Sequence, residues 1–170
     1  CPPEHVWCIM QEPYIPLSND WMLKDLDWCA RILTHYPAGL SRAEESHPAV
    51  PWHVDLNYKQ LMWGRRPVKQ RLLSWITSRL TVTPMQRKRM AFYEYLQSCK
   101  VPVDFYGRGI RHIRDTWDGL SPYYYSLAID NDRSSYYWSE KLADSFLTWT
   151  APSYDGCLTL EIYCPPVSFI

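Results

Sequence analysis

The chain predicts an α/β protein in which a parallel sheet is flanked by helices. From residue 70 onward, short apolar runs of strand length alternate with segments of helical period, the pattern of βαβ units. Most of these runs stop at turn formers such as Gly107-Arg108-Gly109 or Asp130-Asn131-Asp132. The stretch 123–156, YYYSLAIDNDRSSYYWSEKLADSFLTWTAPSYDG, holds a whole unit: strand, polar loop, capped helix and second strand.

Residues 5–10, HVWCIM, read as a buried strand that Pro13 brings to an end, leaving Glu12 at its carboxyl edge. In open α/β sheets that edge is where ligands sit. Residues 21–30 are helix-like, with Leu23, Leu26 and Trp28 as apolar contacts. A second short strand, 31–36 (RILTHY), follows and ends at the Pro-Ala-Gly turn. Residues 40–58 are polar and broken by proline, which predicts a loop or an inter-domain connection.

Residues 71–76 (RLLSWI) form the next strand, and a loop with Thr81, Thr83 and Pro84 leads into a helix over 85–99. Met90, Tyr93, Leu96 and Gln97 lie along one line of that helix. Residues 101–106 (VPVDFY) are a strand, and 110–122 a charged connector. In the last unit, 124–129 is the strand and Ser139 stands where an N-cap belongs. Glu140 occupies the first turn, with Leu142, Phe146 and Trp149 at helical spacing behind it. Residues 151–154 resume an extended segment, where Pro152 near the start suits an edge better than a strand centre.

The whole chain of 170 residues carries 18 Lys+Arg against 18 Asp+Glu, so no bulk attraction to nucleic acid or to an anionic membrane is expected. Hydrophobic content of 46% is ample for a packed core. No apolar run reaches the ~20 residues that span a bilayer, and the start CPPEHVWC lacks the layout of a signal peptide. The six cysteines form no CxxC pair, which argues against zinc and for buried free thiols. His5, His35, His47, His53 and His112 show no ligand spacing and receive no role.

Polar residues crowd the junction of loop and helix: Asn131, Tyr137, Ser139, Glu140 and Lys141. A helix start that follows a strand offers free N–H groups and a positive dipole end, a place for a diphosphate. A capped surface helix with a solvated Glu-Lys pair satisfies the same spacing.

The wording Asp130-Asn131, then Tyr137-Trp138-Ser139-Glu140-Lys141-Leu142, then Pro152-x-Tyr154-x-Gly156 resembles the donor-site motif of the α1,3/α1,4-fucosyltransferases, glycosyltransferase family 10. That family shows Glu, Ser and Thr where this chain has Asp130, Asp132 and Ser139. The resemblance extends to residues 69–78, 86–93 and 103–107 and, more loosely, to residues 8–13 and 33–35. It implies a GT-B type fold, with residues 1–62 a partial acceptor domain and linker, and 63–170 a Rossmann-like donor domain. Further strands on both sides are expected from the family, so the chain is read as a fragment or a truncated product.

The resemblance also implies inverting transfer of fucose from GDP-fucose to a hydroxyl of a glycan acceptor, one containing GlcNAc and in α1,3 linkage. Glu12 would be the base, while Arg89 and Lys141 would clamp the diphosphate. Asn131, Tyr137 and Glu140 would contact the nucleotide or the sugar. No obligatory metal is implied, since two cations already face the leaving group. The implied partners are GDP-fucose and an oligosaccharide, with no nucleic acid. Membrane association would come only through segments outside this chain, which leaves the compartment open between cytoplasm and Golgi lumen. Two rivals remain: an inactive fragment that only binds a nucleotide sugar, and a transferase that uses another nucleotide sugar.

Overall fold

The structure is a computed structural model, and it describes residues 1–24, 26–47 and 52–170. Two parallel sheets divide the chain. The first has the order β1-β2-β3, formed by β1 (Trp7–Ile9), β2 (Arg31–Thr34) and β3 (Ala43–Glu45). Its core is small, with Met10, Met22, Cys29 and Ile32 buried together.

The second sheet is built from β4 (Arg71–Ile76), β5 (Asp104–Tyr106), β6 (Tyr123–Ile129) and β7 (Ala151–Asp155), in the order β5-β4-β6-β7. Helices α2 (Pro84–Ser98), α3 (Thr116–Leu120) and α4 (Glu140–Leu147) make the crossovers. Trp75 and Ile129 meet α2 through Met90, Tyr93 and Leu96 on one face. On the other face Ser126 bonds Ser145 of α4 at 2.8 Å. The expected α/β fold with a Rossmann-like parallel sheet is therefore present, and this strand order reverses between β4 and β6.

Local chemistry explains where the helices begin. Thr83 caps α2 and closes a capping box with Gln86, while Pro84 occupies the first turn, where its missing N–H costs nothing. Ser139 caps α4 by accepting from the Lys141 N–H. Trp149 leaves the helical line: α4 has ended, its φ is +59°, and its side chain is 58% exposed. Beyond β7, the Ile170 main chain donates to Pro152 O and accepts from Tyr154 N at 2.9 and 2.8 Å, the two-bond pattern of parallel pairing.

Several sequence expectations need correction. Residues 21–30 hold no α-helix, only a 3-10 turn at Asp20–Leu23. Side chains of Asn19 and Asp20 accept from the Ile15 and Leu17 N–H groups and hold the chain in a turn, and Met22 and Cys29 drop directly into the small core. The segment 40–58 contains β3 and the start of α1 (Tyr58–Trp63), whose Asn57–Gln60 capping box was legible but overlooked. The connector 110–122 contains α3, capped by Asp115. In α3 a Cβ on Gly119 would meet Ile76 and Ile113 methyls at 2.8 and 3.0 Å, so the glycine is there for close approach. On α2, Gln97 is exposed beside the buried line.

All six thiols are free, and only Cys29 and Cys157 are buried. No helix among the described residues is long and apolar enough to cross a membrane.

Candidate active site at the switch point

In a doubly wound sheet, the carboxyl ends of the strands on either side of the reversal leave a crevice. Here that crevice is a cleft of about 240 Å³ above the ends of β4 and β6. Thr77 and Ser78 line it after β4, Asn131 after β6, Arg89 from α2, and Glu140 and Lys141 from α4. Four of the residues singled out in the sequence are thus brought to one wall-to-wall space.

A buried carboxylate fixes the α4 side. Asp130 is fully buried at the end of β6 and accepts from the Ser139 hydroxyl and, at 2.6 Å, from the Tyr154 hydroxyl. Tyr154 Oη in turn accepts from the Cys157 N–H at 2.7 Å. Gly156 keeps this space open, because a Cβ there would stand 2.4 Å from Tyr154 Oη. Strand end, helix cap and next strand are tied at one point, and Glu140 and Lys141 emerge from it. Burial pushes the Asp130 carboxyl upward, against the pull of the Lys141 charge and the two hydroxyls.

Lys141 Nζ donates to Glu140 Oε1 at 2.9 Å and to Ser139 Oγ at 3.2 Å. Burial works to raise the Glu140 carboxyl, but the Lys141 ammonium and its hydrogen bond outweigh it and hold that carboxyl below its ordinary value.

Arg89 faces this pair from α2. It is 3% exposed, and its guanidinium donates to Asn131 Oδ1 at 2.5 Å and Ser78 Oγ at 3.4 Å, both neutral groups. Its Nε is buried without a partner among the described residues. Burial lowers its pKa, and the Asp130 and Glu140 charges only partly restore it. A buried cation held by neutral acceptors is poorly compensated, and an anion in the cleft would complete it.

The remaining two residues sit differently. Tyr137 is buried beside the cleft, not on its lining. Burial, then the charges of Asp130, Glu12, Glu140 and Asp132, push its hydroxyl well above the ordinary range. Glu12 is exposed and also stands off the lining, and its charge is among those that act on Tyr137.

The cleft also holds residues the sequence reading passed over. Asp144, one turn behind Glu140, is 1% exposed, and one of its oxygens has no partner among the described residues. Burial pushes its carboxyl up to about 6, helped by Glu140 and Asp115 and resisted by the His53 N–H and charge. His53 reaches the lining from the connection before α1. Asp144 could have been found from its i+4 spacing to Glu140, whereas nothing local in the sequence marks His53. Among the described residues, no group of three His, Cys, Asp or Glu could hold a metal ion.

Gly107 stands behind the cleft. Its φ is +116°, and a Cβ there would lie 1.8 Å from the Thr77 carbonyl, so β5 ends in a residue that lets it pack against the cleft's floor.

Residues 66–170 match the family model described as glycosyltransferase family 10 (fucosyltransferase) C-term. One similar solved structure is an α1,3-fucosyltransferase with GDP-fucose, at 28% identity and a TM-score of 0.50, over 59% of this chain and 30% of that one. Another is an α1,3-fucosyltransferase with GDP, at 27% identity and a TM-score of 0.51, over 60% of this chain and 30% of that one. This chain therefore spans about 30% of the length of those enzymes. No curated protein matches it. With the family model covering most of the chain, this protein belongs to glycosyltransferase family 10, the fucosyltransferases.

Proposed function

We propose that this chain carries a partial acceptor domain with its linker (1–62) and the donor-binding domain (63–170) of an inverting fucosyltransferase that moves fucose from GDP-fucose to a glycan hydroxyl, with a GlcNAc-containing acceptor and α1,3 linkage. The observation that carries the reading is the pair of cations. Arg89 and Lys141 come from different helices, line one cleft at the switch point, and Arg89 is buried without a carboxylate bound to it among the described residues. Charge builds on the departing phosphate oxygens as the glycosidic bond breaks. Fixed cations there stabilise the transition state more than the ground state.

In this reading Asn131 orients Arg89, and Glu140 holds Lys141 until the diphosphate arrives. Glu140 then turns to hydroxyls of the ribose or the sugar. Glu12 takes the proton of the acceptor hydroxyl, and Tyr137 packs the nucleotide's side of the loop. Charge neutralisation by two side chains leaves no requirement for a metal ion. The similar structures that hold GDP-fucose and GDP support the donor assignment.

Calorimetric titration with GDP and GDP-fucose tests the proposal, followed by a turnover assay with an N-acetylglucosamine glycan. Binding and transfer are expected, with chelator having no effect. Binding without transfer would instead favour a nucleotide-sugar-binding fragment. Preference for a different sugar nucleotide would move the assignment to another donor. Indifference to GDP at millimolar concentration would end the reading.

A further inference from the structure

His53 lies outside every segment of the family resemblance, on the connection that leads into α1, and yet it lines the switch-point cleft. Contacts on both sides hold it there. Its own N–H donates to Asp144 Oδ1 at 2.8 Å, Val54 beside it is buried, and the Asp55 N–H donates to Asp115 Oδ2 at 2.9 Å. Helices α4 and α3 thereby pin the segment. The imidazole stays 56% exposed, with Nδ1 4.0 Å from Glu140 Oε1. That is the same oxygen that accepts from Lys141 Nζ.

We infer that His53 is a third cation of the diphosphate site: it takes up a proton when a nucleoside diphosphate fills the cleft and returns it when the cleft empties. The inference rests on reading the cleft as a GDP-sugar site. Facing His53 are Glu140 and Asp144 from α4, with the Asp115 charge acting on Asp144 and with Lys141 and Arg89 as the cations of the same space. In the empty cleft Lys141 leans on Glu140 and that pair is matched, while Arg89 is held by the neutral Asn131 and Ser78. A diphosphate adds roughly two to three negative charges to that balance. Histidine, like the raised Asp144 carboxyl beside it, can answer with a proton near neutral pH, and an anion within about 4–6 Å favours its charged form. The proton comes from solvent onto a ring nitrogen, and no covalent bond is made or broken. A cation carried by the connection between the two sheets also links donor occupancy to the placement of the first one.

The test follows the imidazole of His53 by NMR in the 170-residue chain, assigned through bonds from its own main chain, with and without saturating GDP. Its titration midpoint is expected to rise by about one pH unit or more in GDP. His53→Gln is expected to weaken GDP binding about tenfold at pH 6 and less than about twofold at pH 8.5. An unchanged midpoint in a chain that does bind GDP overturns this inference and leaves the donor assignment standing. Equal weakening at both pH values also overturns it, because a purely structural role would act alike at each. Absence of GDP binding overturns both. The wild-type titration decides the matter even if the variant fails to fold.

Discussion

The two sheets share a parallel plan and differ in depth. Strands of the second run to 6 and 7 residues in β4 and β6, whereas those of the first have 3 or 4. Trp75 at the centre of the second sheet packs against Phe92, Tyr93 and Phe105, and helices cover both faces. The first sheet gathers four buried residues, Ile32 among them, with partly buried neighbours such as Leu26 and Leu40, and it also leans on the other unit. His47 stacks on Trp138 at 3.9 Å, and His35 lies 4.9 Å from Tyr137. Both contacts fall on the loop between β6 and α4, the loop that carries the donor motif. The difference teaches that the second sheet makes the site, while the first is held by it.

The sharpest way to break this comparison is Gly107→Ala. Its Cβ would strike the Thr77 carbonyl in a backbone region closed to other residues, so a loss of about 3–4 kcal/mol is expected in chemical denaturation. GDP binding should fall with it, because Thr77 lines the cleft. Full stability in that variant would show that β4 and β5 do not fix the cleft's floor.

Lys141→Ala should leave the fold intact and weaken GDP about 10–100-fold by calorimetry, the effect of one charge-assisted contact. A comparable loss from a substitution in the first sheet would erase the distinction between the two units.

Asp144→Asn probes pH. The folded carboxyl is raised to about 6, above its ordinary value, so its stabilising contribution is complete below the ordinary carboxylate range and is lost as pH rises through 6. An asparagine cannot ionise and can still accept from the His53 N–H. The variant should melt higher at pH 8, by the equivalent of about 1–3 kcal/mol, with the difference gone at pH 4. The first sheet should respond on the acid side. Burial lowers the pKa of His35, so the stability of its neutral form holds above the ordinary histidine range and is lost as pH falls through the lowered value. Hydrogen exchange at pH 5 is expected to open β2 before β6.

The smallest effect belongs to Ile32→Val, about 1 kcal/mol. It should speed exchange in the first sheet and leave GDP affinity unchanged. Equal acceleration in both sheets would mean they open as one body.

Much of the second unit was legible because its signals are local. Ser139 before an apolar helical run marks α4, and the strands β4 and β6 are continuous apolar or aromatic stretches bounded by polar loops. The first unit was harder, since residues 21–30 have helix-like apolar spacing that a small core uses through a turn instead. Among the site residues, Arg89 stands in the basic run Arg87-Lys88-Arg89, and burial against Asn131 and Ser78 separates it from its neighbours.

By itself, then, the sequence determined the alternation of strands and helices, the cap of α4 and the set of chemical groups in the donor motif, because each depends on neighbours within a few positions. Strand order was decided only in three dimensions, since nothing local states that β6 pairs with β4 on the side away from β5. So were the knot of Asp130 with Ser139 and Tyr154, the burial of Arg89 and the arrival of His53 over the cleft. These groups are 9 to 91 positions apart along the chain, and packing and desolvation act through distance in space.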